Sequence, residues 1–238
     1  MTQGLFHCPP TLTDNASTPR SMARRMPKAT PPTPQQNEAT AAYSKLLDEA
    51  AVRLTTIQEL ITGRFVISDP LIVEFGYLQL RMLCEVVALC CLVAHGDIEA
   101  TRSSKLQKEY AADKLMKMLE PLHGNFYPRP VTVIRTSTGH HIDRIAEGFL
   151  TKEELLRLYH ECGDRLHRGS LAKFRSSAPR VNEADLAKLR GWLSKFLVLL
   201  NSHHVASRDN NAHFICFLSH EQVAGKALVV LATSALPD

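Results

Sequence analysis

One long apolar stretch, Leu71 to His95, constrains this chain more than any other feature, because beyond Glu74 only Arg81 and Glu85 within it carry charge. Asp69 as N-cap, Pro70 at the first helical position and Gly96 past the end predict a helix over 70–95. Its uncharged inner runs, Met82–Leu83 and Val86–Ala94, fall short of the roughly 20 consecutive apolar residues that span a bilayer. A buried central helix with no membrane contact is therefore expected. Leu83, Val86, Val87, Leu89, Leu92 and Val93 occupy nearly every face, so neighbouring elements must surround it.

Arg81 and Glu85 are four residues apart and share one face, on which Ala88, Leu92 and His95 follow at helical spacing. An unpaired ion buried there costs several kcal/mol, and pairing with hydrogen bonding offsets part of that cost. The pair is expected to fix how helices meet; a ligand or catalytic site, or a solvent-facing notch, are the alternatives.

The chain has 238 residues, 45% hydrophobic and 22% charged, which suits one globular domain with appendages. Its net charge of +4 is uneven: Arg20, Arg24, Arg25 and Lys28 outweigh Asp14 in residues 1–37, leaving 24 basic and 23 acidic residues elsewhere. The body thus lacks the excess of a strong general nucleic-acid binder, although a local patch remains open. Residues 1–37 are rich in Pro and Thr and poor in large apolar side chains, and are expected to be a disordered basic tail. Cysteines at 8, 84, 90, 91, 162 and 216 have no CxxC spacing and read as small buried hydrophobes in a reducing cytoplasm.

Helical signals continue downstream of the tail. Tyr43, Leu46, Leu47, Ala50, Leu54, Ile57 and Ile61 predict a helix over 38–62 that Gly63 stops. Ser104 with Gln107 predicts a third helix, carrying Leu106, Tyr110, Leu115, Met118 and Leu119 and ended by Pro121. Residues 120–150 look irregular, with Val131–Arg135 as one short strand. Thr151 with Glu154, stapled by Leu150 and Leu155, opens a fourth helix closed by Gly169, and Asn182 with Asp185 opens a fifth. His213–Leu218 and Lys226–Leu231 read as a hairpin. The expected fold is mainly α: a bundle of about five helices over 38–204 with a small C-terminal hairpin appendage over 205–238.

A second concentration of ionisable groups closes the fourth helix, from Tyr159 through His160, Glu161, Asp164, Arg165, His167 and Arg168. Leu155, Leu158, Tyr159, Cys162 and Leu166 form its buried face, and Arg157, Glu161, Asp164 and Arg168 follow the exposed spacing. Gly163 leaves room for close approach by another backbone or a ligand. The plainer account is that His167 and Arg168 complement the negative end of the helix dipole.

The segments YLQLRMLCEVVALCCLVAHGD and YHECGDRLHRG together look like bacterial helical proteins and resemble the HEPN (higher eukaryotes and prokaryotes nucleotide-binding) helical domains, over roughly residues 40–204. Many HEPN domains are metal-independent ribonucleases or toxins that use an arginine and a histidine a few residues apart on one helix. Here the spacing departs from that pattern: Arg165 and His167 are two apart, Arg157 and His167 ten, Arg81 and His95 fourteen. The resemblance implies His167 exchanging a proton and Arg165 or Arg168 stabilising phosphate charge, with Arg81, Glu85, His95 and Asp164 orienting them.

The function expected first is a non-catalytic interaction or regulatory module, with a protein partner or a second copy of the chain. A HEPN-like ribonuclease acting on RNA is the alternative. His140–His141 and His203–His204 are adjacent pairs, unlike the i, i+4 spacing that shares a metal, so no metal or cofactor is expected. GxxxxGK, GxGxxG, GxSxG and HExxH are absent. With 6% aromatics, a stacking platform for single strands is not expected either.

Overall fold

A computed structural model describes residues 31–136, 139–167, 183–210 and 212–233. Among these, six α-helices pack with a five-stranded antiparallel sheet: α1 (Pro34–Ile61), α2 (Asp69–Ala94), α3 (Ser104–Gln107), α4 (Ala112–Leu119), α5 (Lys152–Leu166), α6 (Glu183–Leu200), β1 (Arg129–Thr136), β2 (Gly139–Arg144), β3 (Ser202–Ala206), β4 (Ala212–Phe217) and β5 (Leu228–Thr233). The strand order is β2-β1-β3-β4-β5. This is an α+β fold, which corrects the expectation of a helical bundle with only a small hairpin. β1 is not an isolated strand: it pairs with β2 on one side and, through Arg129 and Pro130, with His204 and His203 of β3 on the other. β3 lies partly inside the span assigned to the bundle, so the sheet joins the middle of the chain to its C-terminal part.

Local signals account for the helices. Thr33 and Gln36 form a reciprocal capping box and Pro34 occupies the first turn, so α1 starts ahead of residue 38. Ser68, not Asp69, is the N-cap of α2, and Asp69 sits in its first turn where the helix dipole favours an anion. The expected third helix is two, because the Glu109 carboxylate accepts the N–H groups of Tyr110 (3.1 Å) and Ala111 (3.0 Å) and so interrupts the ladder. Ser103 caps α3, while Gln107 donates to the Thr101 carbonyl instead of closing a capping box. The Thr151/Glu154 box of α5 is present, but the helix ends at Leu166 with His167 as C-cap. The tail up to residue 30, Arg168, Gly169 and Asn182 lie outside the described residues.

α2 is the axis of the core. It packs against α1, α4, α5 and α6, and Leu80, Leu83, Cys84, Val87 and Cys91 are sealed from solvent. By length and composition α2 could cross a membrane, yet 67% of its most apolar window is buried inside the protein. Gly76 lets α6 come close, since a Cβ there would lie 2.8 Å from Leu189 Cδ1.

The inner face of the sheet covers α1. Tyr43 of α1 stacks on Phe214 and its hydroxyl meets His203 Nε2 at 2.8 Å, while the N–H of Ala227 donates to Asp48. His203 is fully buried, and burial pulls its pKa down to about 4. Between that value and the ordinary one near 6.5 the unfolded chain holds a proton that the folded chain lacks, so stability rises with pH through this window and is lost as pH falls. The expected contribution is on the order of 3 kcal/mol across the window. In pH-dependent urea unfolding, His203→Gln should lower stability at neutral pH and reduce the slope between about pH 4 and 6.5, leaving the part that His204 contributes; an unchanged slope would show that the His203 imidazole is not what titrates.

Candidate functional site

The Arg81–Glu85 pair lies in a polar seam between α2 and α5. Tyr77, Arg81 and Glu85 recur every four residues and so share one face of α2. Arg81 Nε stands 3.6 Å from Glu85 Oε1. Tyr159 of α5 completes the contact: its hydroxyl accepts from Arg81 Nη2 at 2.8 Å and donates to Glu85 Oε1 at 3.2 Å, and the guanidinium lies 4.2 Å from its ring centroid. The pair is half-buried, with side-chain exposures of 31% for Arg81 and 14% for Glu85.

One turn away the same logic repeats. The Tyr77 hydroxyl donates to Glu161 Oε1 at 2.9 Å, and Arg165 lies over the Tyr77 ring while pairing with Asp185 of α6 at 2.9 Å. The space at Gly163 is taken by Arg81, whose Nη1 would be 3.4 Å from a Cβ built there. Burial, then the Glu85 carboxylate, push the Tyr159 phenol up to about 12. It stays protonated at neutral pH, so it can donate a hydrogen bond but not act as a base. Cys162 is likewise raised to about 12, mainly by burial, and is no nucleophile at neutral pH.

The candidate residues do not all converge. Arg81 and Glu85 meet α5, and Arg165 joins the seam through Tyr77. Asp164 and His167 are exposed. His95 lies apart, about 20 Å along α2 from Arg81 at 1.5 Å per residue. It is the sealed C-cap of α2, with Nδ1 held 2.7 Å from the Cys91 carbonyl and its ring 5.0 Å from that of His123. Burial lowers its pKa. Glu161, expected on the exposed face, is half-buried against Tyr77. The partners missed from sequence are Tyr77, Tyr159 as a polar group, and Asp185, which was assigned only to a cap; the four-residue step from Tyr77 to Arg81 was the available signal.

The adjacent histidine pairs lie on strands, not helices. His203 points inward to Tyr43 and His204 outward, with His204 Nε2 3.0 Å from His213 Nδ1. In β2, His141 Nε2 is 2.9 Å from Asp143 Oδ1. No group of three or more His, Cys, Asp or Glu among the described residues could hold a metal ion. Set against family models, curated proteins and solved structures, the chain matches none.

Half-exposure sets the size of the effect expected on breaking the seam. A fully buried pair that loses one partner costs about 3–5 kcal/mol, an exposed pair less than about 1. Arg81→Met should therefore cost about 1–2 kcal/mol and Tyr159→Phe about 1 kcal/mol. In a double-mutant cycle by chemical denaturation, Tyr159→Phe and Glu85→Gln should be coupled by at least about 0.5 kcal/mol. Additive losses would mean that the hydroxyl does not join the two helices.

Proposed function

We propose that this protein acts without catalysis, as a helical interaction or regulatory module whose partner is a second copy of the chain. The observation that carries this is the apolar stripe on the N-terminal half of α2. Leu71, Phe75 and Leu78 recur at helical spacing and are exposed, and exposed Phe65, Val66 and Ile67 lie in the turn just before them. Apolar surface gathered in this way marks an interaction site when it reaches several hundred Å².

The stripe is self-complementary. Two copies packed antiparallel about an axis between Phe75 and Leu78 set each Phe75 against the second copy's Leu78, and each Leu71 against the second copy's Met82. The same pairing brings exposed Glu74 towards the second copy's partly exposed Arg81. An isologous contact of this kind closes on itself as a dimer. The described cysteines, Cys84, Cys90, Cys91, Cys162 and Cys216, are all free and buried, which suits a reducing compartment, and the proposal places the protein in the cytoplasm.

The ribonuclease alternative takes second place because Arg165, one of the two arginines it could use for phosphate, is held by Asp185 and Tyr77. No side-chain hydrogen bond orients His167 among the described residues. RNA cleavage by the pure protein that disappears in His167→Ala would overturn the non-catalytic account. Sedimentation at micromolar concentration is expected to give a dimer for the natural chain and a folded monomer, with an unchanged far-ultraviolet circular dichroism spectrum, for Phe75→Ser with Leu78→Ser. A natural chain that stays monomeric would remove the second copy as partner.

A further inference from the structure

The face of the sheet turned away from α1 is cationic. Strand alternation and register place Arg129 of β1, Arg144 of β2, His204 of β3 and His213 of β4 on this outer face, and no carboxylate at its described strand positions. Arg129 lies directly across from His204, and His204 Nε2 is 3.0 Å from His213 Nδ1. Both arginines are exposed, and Arg129 is steadied by donating Nη2 to Asn125 at 2.7 Å. The acidic residue of β2, Asp143, faces the other way with His141.

The potential on this face is felt by its own histidine. Burial, then His213, Arg144 and Arg129, pull the His204 pKa down to about 4, with no acidic group acting against them. His204 is thus neutral at neutral pH, and exposed Arg129 and Arg144 carry the positive charge of this face although the chain body is nearly neutral. Apolar side chains lie beside the arginines: exposed Val230 continues the row of Arg129 and His204 beyond the buried Ile215, and partly buried Phe217 pairs with Leu228 in the next. A free phosphate would use only the arginines. A chain of phosphates carrying flat bases uses both sets, charge on guanidinium and base on Phe217, imidazole and aliphatic surface.

We propose that the outer face of the sheet binds single-stranded nucleic acid through its phosphates, with Arg129 and Arg144 as the phosphate contacts. This surface is separate from the α2 stripe and does not depend on self-association. It also explains why composition argued against such a platform: two histidines and one phenylalanine on a sheet supply the flat surface without raising the aromatic content.

The test is fluorescence anisotropy of the full chain with end-labelled oligouridine and, in a second arm, oligothymidine. Two engaged phosphates on a single strand should weaken binding about sevenfold when salt rises from about 50 to about 200 mM. Arg129→Ala with Arg144→Ala should lose at least tenfold in affinity for either strand while its melting temperature stays unchanged. Arg20→Ala with Arg24→Ala and Arg25→Ala, in the basic tail, should bind within about twofold of the natural chain. Binding by RNA alone would assign the 2′-hydroxyl a part, and binding by both would leave the phosphates and bases as the ligand; either supports the proposal. Affinity that survives the sheet variant, that vanishes with the tail variant, or that polyglutamate competes away as well as unlabelled oligonucleotide does, would overturn it.

Discussion

The need to bury α2 on almost every side shapes this protein. A helix whose second half, from Leu83 to Ala94, carries no charge beyond Glu85 has no face to offer water. α1, α4, α5 and α6 must surround it, and they can do so only if each presents its own apolar stripe inward. The first half of α2 is different: Ile72, Val73, Tyr77 and Leu80 are covered, while Leu71, Phe75 and Leu78 are not. That asymmetry along one helix divides the molecule into a closed core and an open apolar edge.

The polar seam lies where these two regimes meet. Arg81 and Glu85 enter an interface that would otherwise be purely hydrophobic, and Tyr159 lets them do so because one hydroxyl can accept from the cation and donate to the anion. A satisfied contact of this kind adds little net stability compared with an apolar packing of equal shape, yet a shifted register would leave its members unpaired. The seam therefore selects one angle and one register between α2 and α5. Arg165 extends the selection to α6 through Asp185, tying three helices at a single end of the core.

The helices were legible because their signals are local. A capping box spans four residues, and Thr151 with Glu154 states where α5 begins regardless of what packs on it. The sheet was not legible for the opposite reason. β1 and β3 are about 70 residues apart in sequence and meet through a two-residue register, which leaves no trace in either segment. β2 opens on Gly139 but has one large apolar residue, Ile142, and β3 is followed by Ser207, Asp209, Asn210 and Asn211 but has only Val205, so neither carries the run of β-branched and aromatic residues that marks a strand. The break at Glu109 was hidden too, since a carboxylate that caps its own following N–H groups looks like any charged helical residue. Of the site, the i, i+4 step of Arg81 and Glu85 could be read directly, whereas the hydroxyl that joins them comes from a helix 74 residues away.

If α2 is the element around which all others are organised, its amides can open only when the whole protein unfolds. Native-state hydrogen exchange tests this most directly, residue by residue across Leu83–Cys91. The account requires these amides to exchange at the free energy of global unfolding, above those of α4 and of the β1–β2 hairpin. Exchange through a lower-energy local opening of α2, while α5 and α6 remain protected, would contradict it.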